Sequence, residues 1–501
     1  MKTILPFLGL FFLSLSLWAQ PSTGYHASNY AGIQSISVNP ANIVNSRFRQ
    51  DINLFSFDVN ISNNYLGLNT SLFNLSKLKN PLFDSTYSGN FQLFRDQQLK
   101  EKPKDEARMY QEGYTLGPSV GFEIGRHSFA ITTALRQYFH IDNLDQNMAQ
   151  MILSELENPS LQNININNGK FQALAGFWTE IGLAYGQEVI QKGEHRLKVA
   201  AHLKLPIGGF SSYFYADTLV VNFPNEDTLN VLASNVRFGY SNNWQDFTTV
   251  QGNDTVRQSA FGGASALLNQ VGFNADIGLI YEWHPKEKSP IPGIRDNQQY
   301  KLKVGVSILD LGVVNFQRGS YGANFSDVAV NWPIDSMSFD GIPDFGRIMR
   351  DSFNMEESKD AYQLRLPTSM NIQVDYHVFS RLFVNMSGHF AFASGGAPLK
   401  LHDLSQWSVS TRWEHKWYEL ALPFAIDGYN NFNAGFAFRA GPLYLGSSNV
   451  WNFLLGNYVH GLNVYGGLRV PLFKKPSSEP ATVSQLGWKA TSPSLLAQQI
   501  D

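Results

Sequence analysis

Charged side chains recur at every second position along several stretches of this sequence. Between residues 195 and 205, Arg196, Lys198, His202 and Lys204 are separated by apolar or small residues. Successive side chains of a β-strand point to opposite faces, so these charges would share one face of a strand. The same spacing elsewhere extends the set of inward-facing candidates to Glu180, Arg196, Lys198, His202, Lys204, Asp276, Glu282, Lys301, Lys303 and Arg469.

Two interpretations of these charges remain open. They pair with one another across a polar interior, or they line a gated or selective path, because charge inside a pore decides which solutes pass. The sequence contains no GxxxxGK loop, no HExxH and no GxSxG motif, so we do not expect an enzyme. The eleven histidines are dispersed, and we expect neither a metal site nor a cofactor.

The stretch from Trp178 to Pro206 shows which element carries the charges. It contains two alternating runs joined by the polar turn Gln191–Glu194, which predicts a β-hairpin. Its second run, residues 196–205, has ten residues, and a transmembrane β-strand needs about 9–11. Similar runs recur along the chain, with one apolar and one polar face, and predict about 14 strands.

A transmembrane barrel explains these strands better than a soluble β-protein. The alternating runs are longer than soluble strands, which have about 5–6 residues. Trp and Tyr cluster at strand ends, and short and long connections roughly alternate, as in outer-membrane barrels. No repeat typical of a propeller occurs. The predicted fold class is all-β, an antiparallel up-and-down transmembrane β-barrel with an N-terminal hatch or plug segment and short loop helices.

Composition and the N-terminus define the compartment and the domain boundaries. The net charge of −3 gives no basic field for nucleic acid, and the chain has no cysteine. Lys2 precedes an apolar run and Ala19, which predicts a signal peptide at residues 1–19 and export to the bacterial outer membrane. We expect a hatch segment at residues 20–50, the barrel at residues 51–473 and a polar tail at residues 474–501.

Short sequence motifs give the chain a resemblance to a known family. Asn39-Pro40-Ala41 precedes the first predicted strand, Ser307 to Gly312 reads SILDLG after a barrel strand, and Gly467 to Leu472 reads GLRVPL. With these motifs the chain resembles the FadL-type outer-membrane transporters and their PorV-like relatives in type IX secretion. The resemblance implies a 14-stranded barrel that is closed by an N-terminal hatch carrying Asn39, Pro40 and Ala41.

The resemblance also implies a function and its partners. The leading hypothesis is a channel or transporter for small, hydrophobic molecules, gated by the hatch, with membrane lipid and the hydrophobic molecule as partners. This hypothesis predicts an apolar pocket between Asn39-Pro40-Ala41 and the barrel wall. The alternative is a structural or docking barrel of a secretion or surface machinery, whose partner would be a protein of that machinery. No nucleic-acid partner is expected under either hypothesis.

Overall fold

The structure is a computed structural model of the 501-residue chain. It describes residues 24–73, 91–102, 104–154, 158–242, 270–286, 291, 294–295, 298–317, 323–333, 342–353, 356–357, 361–392 and 399–474. The predicted signal peptide lies outside the described residues, and so does the predicted polar tail except for Lys474.

Antiparallel strands make up most of the described chain. In chain order they are β1 (Phe48–Asn63), β2 (Leu66–Asn69), β3 (Leu99–Glu101), β4 (Glu106–Leu116), β5 (Ser119–Ile124), β6 (His127–Asp145), β7 (Ile166–Asn168), β8 (Phe171–Lys192), β9 (His195–Ala216), β10 (Thr218–Asn222), β11 (Thr228–Tyr240), β12 (Phe273–Trp283), β13 (Leu302–Phe316), β14 (Ala323–Pro333), β15 (Glu356–Glu357), β16 (Tyr362–Arg365), β17 (Ser369–Phe379), β18 (Leu382–Ala391), β19 (Gln406–Glu414), β20 (Tyr418–Asp427), β21 (Phe432–Ala434), β22 (Phe436–Ala440), β23 (Leu443–Ser447), β24 (Tyr458–Val459) and β25 (Gly461–Phe473).

Most of these strands close into one ring of 14 passes, which confirms the predicted barrel, and β2, β3 and β24 form a separate three-stranded sheet. Each pass pairs with the next along the chain, and the last strand, β25, pairs with β1 from Phe48↔Phe473 to Ser62↔Gly461. Several passes consist of two consecutive strands, such as β4 with β5 and β16 with β17. The first strand begins at Phe48 rather than at the predicted boundary of residue 51.

The two ends of the barrel differ in their connections. At one end, which we name the turn end, consecutive strands are joined by short turns such as Gly125-Arg126, Gly193-Glu194 and Ser380-Arg381. At the opposite end, the loop end, long connections carry additional strands and helices. Short turns at one end and long loops at the other are typical of outer-membrane barrels.

The outer face of the ring is apolar. Ile181 and Leu183 on β8 are 53% and 58% exposed, and Leu203 and Leu205 on β9 are each 53% exposed. The side chains between them point into the barrel, as the alternation predicts. Exposed aromatic residues mark both ends of this face: Phe379, Trp413, Trp417 and Tyr418 at the turn end, and Trp407 and Phe432 at the loop end. Such a surface is suited to lipid with an interfacial aromatic girdle.

Helices are few and short. The α-helices are α1 (Phe91–Gln98), α2 (Gln146–Leu153), α3 (Ile342–Ser352) and α4 (Val450–Leu455), and short 3-10 helices occur at Gly32–Ser37, Pro40–Ile43, Thr70–Phe73 and Pro159–Leu161. Of the helices in the described parts of the chain, none combines the length and the apolar character needed to cross a membrane. At the loop end, α2 and α3 pack on the arms β10, β11 and β14 around a separate hydrophobic core.

The chain before β1 folds inside the ring. We name residues 24–47 the N-terminal segment. Its 3-10 helices, Gly32–Ser37 and Pro40–Ile43, are largely buried, and Ile33, Ile36, Ala41, Ile43 and Val44 pack against small and apolar wall residues that include Leu116, Ala130, Ala184, Ala200 and Ile280. The N-terminal segment therefore occupies the turn-end half of the lumen, because β1 starts from that end.

Candidate functional site

The Asn39-Pro40-Ala41 motif is the part of the N-terminal segment that contacts strands β12 and β13. The Asn39 side chain accepts a hydrogen bond from the Ala41 amide at 2.9 Å and so caps the 3-10 helix that starts at Pro40. Its Nδ2 donates to the carbonyl oxygens of Leu279 and Val306, each at 3.3 Å. One side chain thus starts the helix and fixes it to the barrel wall.

Two glycines in the wall make room for this motif. A Cβ atom at Gly278 would lie 2.1 Å from Asn39 Oδ1 and 2.8 Å from Pro40 Cδ. A Cβ at Gly305, on the neighbouring strand, would lie 3.1 Å from Asn39 Nδ2. Ala41 packs on the wall within a tight apolar cluster. The expected apolar pocket beside this motif is not found in the described part of the chain, because wall and motif are in direct contact there.

Buried charges anchor the N-terminal segment to the opposite side of the barrel. Glu414, at the turn end of β19, accepts hydrogen bonds from Arg47 Nη1 at 3.0 Å and from the backbone and side-chain nitrogens of Asn29 at 3.2 and 3.1 Å. Arg412 lies 3.3 Å from the same carboxylate and also contacts Asp375 at 3.0 Å. These attachments are polar, in contrast to the packed contact at Asn39.

A second anchor joins the N-terminal segment to the seam between the first and last strands. Arg469 on β25 donates to the Ala31 carbonyl at 2.8 Å and to Asp51 at 3.2 Å, and it also contacts the Tyr30 carbonyl. Asp51 accepts the Ile33 amide at 2.7 Å. The predicted inward position of Arg469 is therefore used to hold the chain inside the ring.

Beyond the N-terminal segment, the lumen contains a network of buried charges. Arg136 Nη1 lies 2.6 Å from Asp310 and 3.7 Å from Glu180, and Lys204 Nζ lies 2.8 Å from Asp310 and 2.9 Å from Asp276. We name the central network the residues Glu112, Arg136, Glu180, His202, Lys204, Asp276 and Asp310. Of the predicted inward residues, Glu180, His202, Lys204 and Asp276 each lie within 4.0 Å of a partner that carries or can carry the opposite charge, so these side chains pair inside the lumen.

Asp310 enters the central network through a β-bulge. The register of β12 and β13 shifts between Ala275 and Ile277, so that two residues of β13 lie opposite Asp276. Asp310 has a φ of 56°, and its amide donates to Asp276 Oδ1 at 2.8 Å. The bulge rotates this carboxylate into the lumen, although Ile308 on the same strand faces outward.

The remaining predicted charges lie nearer the turn end. Lys198 pairs with Glu282 at 2.6 Å, and Arg196 pairs with Glu188 at 2.8 Å. Lys303 is buried, with its Nζ 5.1 Å from the centre of the Tyr300 ring. Lys301 differs from the other predicted residues because its side chain does not point into the lumen network. It is half-buried at the strand end, where its Nζ donates to the Val378 carbonyl at 3.0 Å and lies over the Tyr376 ring.

The loop-end half of the lumen contains a large cluster of aromatic and aliphatic side chains. Trp178 is fully buried, stacks on Tyr138 at a centroid distance of 5.5 Å and donates its Nε1 hydrogen to Glu180 at 2.8 Å. We name the outer aromatic cluster the buried residues Tyr110, Tyr138, Leu174, Trp178, Tyr213, Val314, Phe316, Tyr362, Leu364, Leu366, Leu401 and Leu404. An interior of this kind differs from the polar lumen of a water-filled porin.

Part of the outer aromatic cluster comes from a loop that folds into the barrel. We name residues 399–405, between β18 and β19, the inner loop. Leu401 and Leu404 are buried in the cluster. Asp403 accepts hydrogen bonds from the hydroxyl groups of Tyr110 and Tyr138 at 3.1 and 3.2 Å and contacts His389 at 3.1 Å. The inner loop thus covers the lumen from the loop end.

Two small cavities lie in the described part of the lumen, between the inner loop and the N-terminal segment. One, of about 40 Å³, is bordered by His26, Ser37 and Asp403 together with the central network. A second, of about 60 Å³, is bordered by Val38 and by polar side chains such as Asn371 and Gln373. A water molecule needs about 10–15 Å³, whereas a cavity that binds benzene has about 150 Å³. Each of these two cavities can hold a few waters and is too small for a molecule of the size of benzene.

Several residues of the site are absent from the set that the sequence analysis predicts. Arg412 and Glu414 alternate with the exposed Trp413, so the period of two already indicates that they face inward. Arg136 follows the same rule on β6. The period of two does not apply to the inner loop. This loop brings His402 close to His140 and Asp142 on β6, and one possible metal-ligand atom from each of the three residues lies within 4.8 Å of the other two. The dispersed histidines therefore include one pair that the fold brings together.

Comparison with known proteins gives a family but no function. A family model described as a family of unknown function (DUF5723) matches residues 40–448. No curated protein matches the chain.

Solved barrel structures resemble the chain weakly. The toluene transporter TodX of P. putida is 9% identical, with a TM-score of 0.39 over 89% of this chain and 95% of that chain. The monoaromatic hydrocarbon channel CymD is 8% identical, with a TM-score of 0.28 over 90% and 95%. The translocator domain of the autotransporter NalP from Neisseria meningitidis is 7% identical, with a TM-score of 0.29 over 84% and 88%. Likeness at this level has no bearing on function, and the barrel rests on the strand pairing.

Proposed function

The chain belongs to DUF5723, a family of unknown function, and we propose that it is an outer-membrane transporter for small molecules with an apolar body. Its path is closed by the N-terminal segment and opens when that segment moves. The turn end faces the periplasm and the loop end faces the outside, as short turns and long loops do in bacterial barrels.

One observation carries this proposal: a separate piece of chain packs inside the ring. A large barrel encloses more space than its own inward side chains fill. In this chain residues 24–47 occupy the turn-end half of that space and contribute no strand to the ring. A barrel that serves only as a membrane anchor has no need of such a segment.

The contacts of the N-terminal segment are compatible with its release. Glu414 and Arg469 hold it through ion pairs and hydrogen bonds. Breaking these contacts leaves the ring of backbone hydrogen bonds between strands intact. The segment can therefore move without unpairing any strand of the ring.

The outer aromatic cluster supports an apolar cargo. A molecule that enters from the loop end meets the aromatic and aliphatic side chains of this cluster, among them Trp178, Tyr138 and Phe316. Aromatic and aliphatic surfaces bind apolar bodies, while the few polar atoms between them set orientation.

A disulfide lock tests whether the N-terminal segment must move. The chain has no cysteine, and the Cβ of Ile33 lies 3.8 Å from the position of a Cβ at Gly121. This separation matches the mean Cβ distance of a disulfide, about 3.8 Å. The variant I33C/G121C should therefore join the segment to the barrel wall under oxidising conditions and release it under reducing conditions.

The assay is uptake of radiolabelled toluene by cells that express the protein and lack other uptake channels. We expect the reduced double variant to take up toluene at the wild-type rate and the oxidised variant to fall to the rate of cells without the protein. The single variants I33C and G121C control for oxidation itself. Equal uptake in both redox states, with the disulfide confirmed by mass spectrometry, would contradict the proposal.

The docking alternative is favoured by one observation at the loop end. Leu232 on β11 and Val328 and Val330 on β14 are 49%, 56% and 67% exposed, on arms that have their own core. Exposed aliphatic residues of this kind can bind a protein of a secretion or surface machinery. Affinity purification from detergent extracts, with the triple variant L232S/V328S/V330S as control, would identify a partner that depends on these residues.

A further inference from the structure

Two histidines and one aspartate meet near the loop end of the barrel, outside the central network. His140 and Asp142 lie two residues apart on β6 and therefore face the same side. The inner loop adds His402, whose Nε2 is 2.7 Å from Asp142 Oδ2. His140 Nε2 is 3.7 Å from the same oxygen, and the two imidazole rings are 4.4 Å apart between centroids.

These distances are close to those that a single metal ion requires. Ligand atoms bound tetrahedrally to Zn²⁺ at about 2.0–2.1 Å lie about 3.4 Å from each other. The measured 2.7 and 3.7 Å lie on either side of this value. Small rotations of His402 and His140 would therefore give all three residues a common distance to one ion.

Hydrogen bonds hold both imidazoles at this point. Gln172 Nε2 lies 3.0 Å from His140 Nε2 and donates to the lone pair of that ring nitrogen, so this amide has to turn away when Nε2 binds an ion. His402 Nδ1 lies 3.2 Å from the Asp403 carbonyl, which fixes the ring with Nε2 toward Asp142. A carbonyl on the second ring nitrogen is the usual support of a metal-binding histidine.

The burial of His140 suits a metal ligand. Its ring has no exposed surface, and its Nδ1, which is not the proposed ligand atom, has no hydrogen-bond partner in the described part of the chain. A buried imidazole with an unpaired nitrogen costs stability unless another interaction compensates. A cation at Nε2 would stabilise the same ring and so offset this cost, while Nδ1 keeps its hydrogen.

We propose that His140, Asp142 and His402 bind a divalent transition-metal ion of the zinc type. Two imidazoles and a carboxylate suit Zn²⁺ and its first-row neighbours, whereas Mg²⁺ and Ca²⁺ prefer oxygen ligands alone. The amide of Gln172 can turn its oxygen toward the fourth position. Because His402 belongs to the inner loop and the other two residues belong to β6, the ion connects the loop to the barrel wall.

The test is Zn²⁺ binding to the full chain, purified in detergent without a histidine tag and stripped with EDTA. Calorimetric titration with ZnCl2 should show one site, and H402A and D142N should weaken it by at least about tenfold, since even outer-shell changes cost 10–100-fold. H127A is the matched control, because His127 is an exposed histidine at the opposite end of β6. Binding that H402A and D142N leave unchanged, or its absence from the wild type, would overturn the proposal.

A second readout follows the inner loop itself. Lys400 is the tryptic site within this loop. Zn²⁺ should slow cleavage after Lys400 at least about tenfold in the wild type and in H127A, and not in H402A, because local opening must precede cleavage. Equal cleavage rates with and without Zn²⁺ in the wild type would refute the connection between loop and wall. Heat-modifiable gel migration shows that each variant is folded.

Discussion

The substitution Glu414→Gln should release the N-terminal segment from one side of the lumen. The carboxylate accepts hydrogen bonds from Arg47 and Asn29 of the segment and lies 3.3 Å from Arg412 of the wall. Gln has nearly the same size, so the change removes the charge and one acceptor without leaving a cavity. The ring of strands is untouched.

The structure sets the expected magnitude. Arg47 and Glu414 are 6% and 1% exposed, and removing one partner of a buried ion pair costs about 3–5 kcal/mol. The lower value applies, because Arg47 keeps its position 4.4 Å over the Tyr30 ring and Arg412 keeps Asp375. Since about 1.4 kcal/mol corresponds to a factor of ten, 3 kcal/mol shifts the equilibrium between closed and open states about a hundredfold.

Conductance in planar lipid bilayers measures this shift. We expect the open fraction in KCl to rise about a hundredfold in E414Q until it saturates, whereas E188Q should match the wild type. Glu188 forms a comparable ion pair with Arg196, at 2.8 Å, in the hairpin of β8 and β9. An unchanged open fraction in a folded E414Q barrel would refute the view that Glu414 holds the segment.

Three further predictions concern the contact at Asn39, the outer aromatic cluster and the turn end. Gly278→Val should displace the N-terminal segment, because a Cβ at this position lies 2.1 Å from Asn39 Oδ1. Chymotrypsin should then cleave the displaced segment at Tyr25 and Tyr30. Gly169→Val is the control, since a Cβ at Gly169 meets nothing within 4 Å. Trp178→Ala should destabilise the barrel by about 3–5 kcal/mol in urea unfolding, as large core truncations do, and Trp178→Phe by less. The pKa of Glu194 is lowered by hydrogen bonds from Trp283 and the Lys286 amide. A carboxyl group whose folded pKa is lowered contributes stability that is complete above its unfolded pKa of about 4.3 and is lost as pH falls through the folded pKa. Amide exchange at Lys286, corrected for its intrinsic rate, should therefore accelerate as pH falls below the unfolded value in the wild type. In E194Q it should be independent of pH.

The ring and the direction of its side chains could be predicted from the sequence. A strand with lipid outside and a polar lumen inside must alternate, so the period of two assigns each residue to one face. Glu180 and Lys204 are 3% and 6% exposed, whereas their neighbours Ile181 and Leu205 are each 53% exposed. The Asn39-Pro40-Ala41 motif precedes the first strand and lies inside the ring.

The same rule explains what could not be predicted. Asp310 follows Ile308 by two residues and should face lipid, but a β-bulge turns it into the lumen. The sequence has no period that indicates a bulge. His402 lies in a loop, where side-chain direction depends on contacts with distant strands. Partner charges such as Glu414 follow the period, yet only the closed ring shows which cation each one meets.

The two sides of the N-terminal segment are held by different kinds of contact, and this difference bears on how the path opens. At Glu414 and Arg469 the contacts are ion pairs and hydrogen bonds of residues 29–33 and 47, which water can replace once it enters. At Asn39 the contact depends on the shape of two glycine positions in β12 and β13, and water does not reproduce a packed surface. Opening should therefore begin at the charged side, while the Asn39 contact still keeps the segment attached to the wall. A segment that stays attached can return to its site without leaving the barrel, which suits a reversible gate.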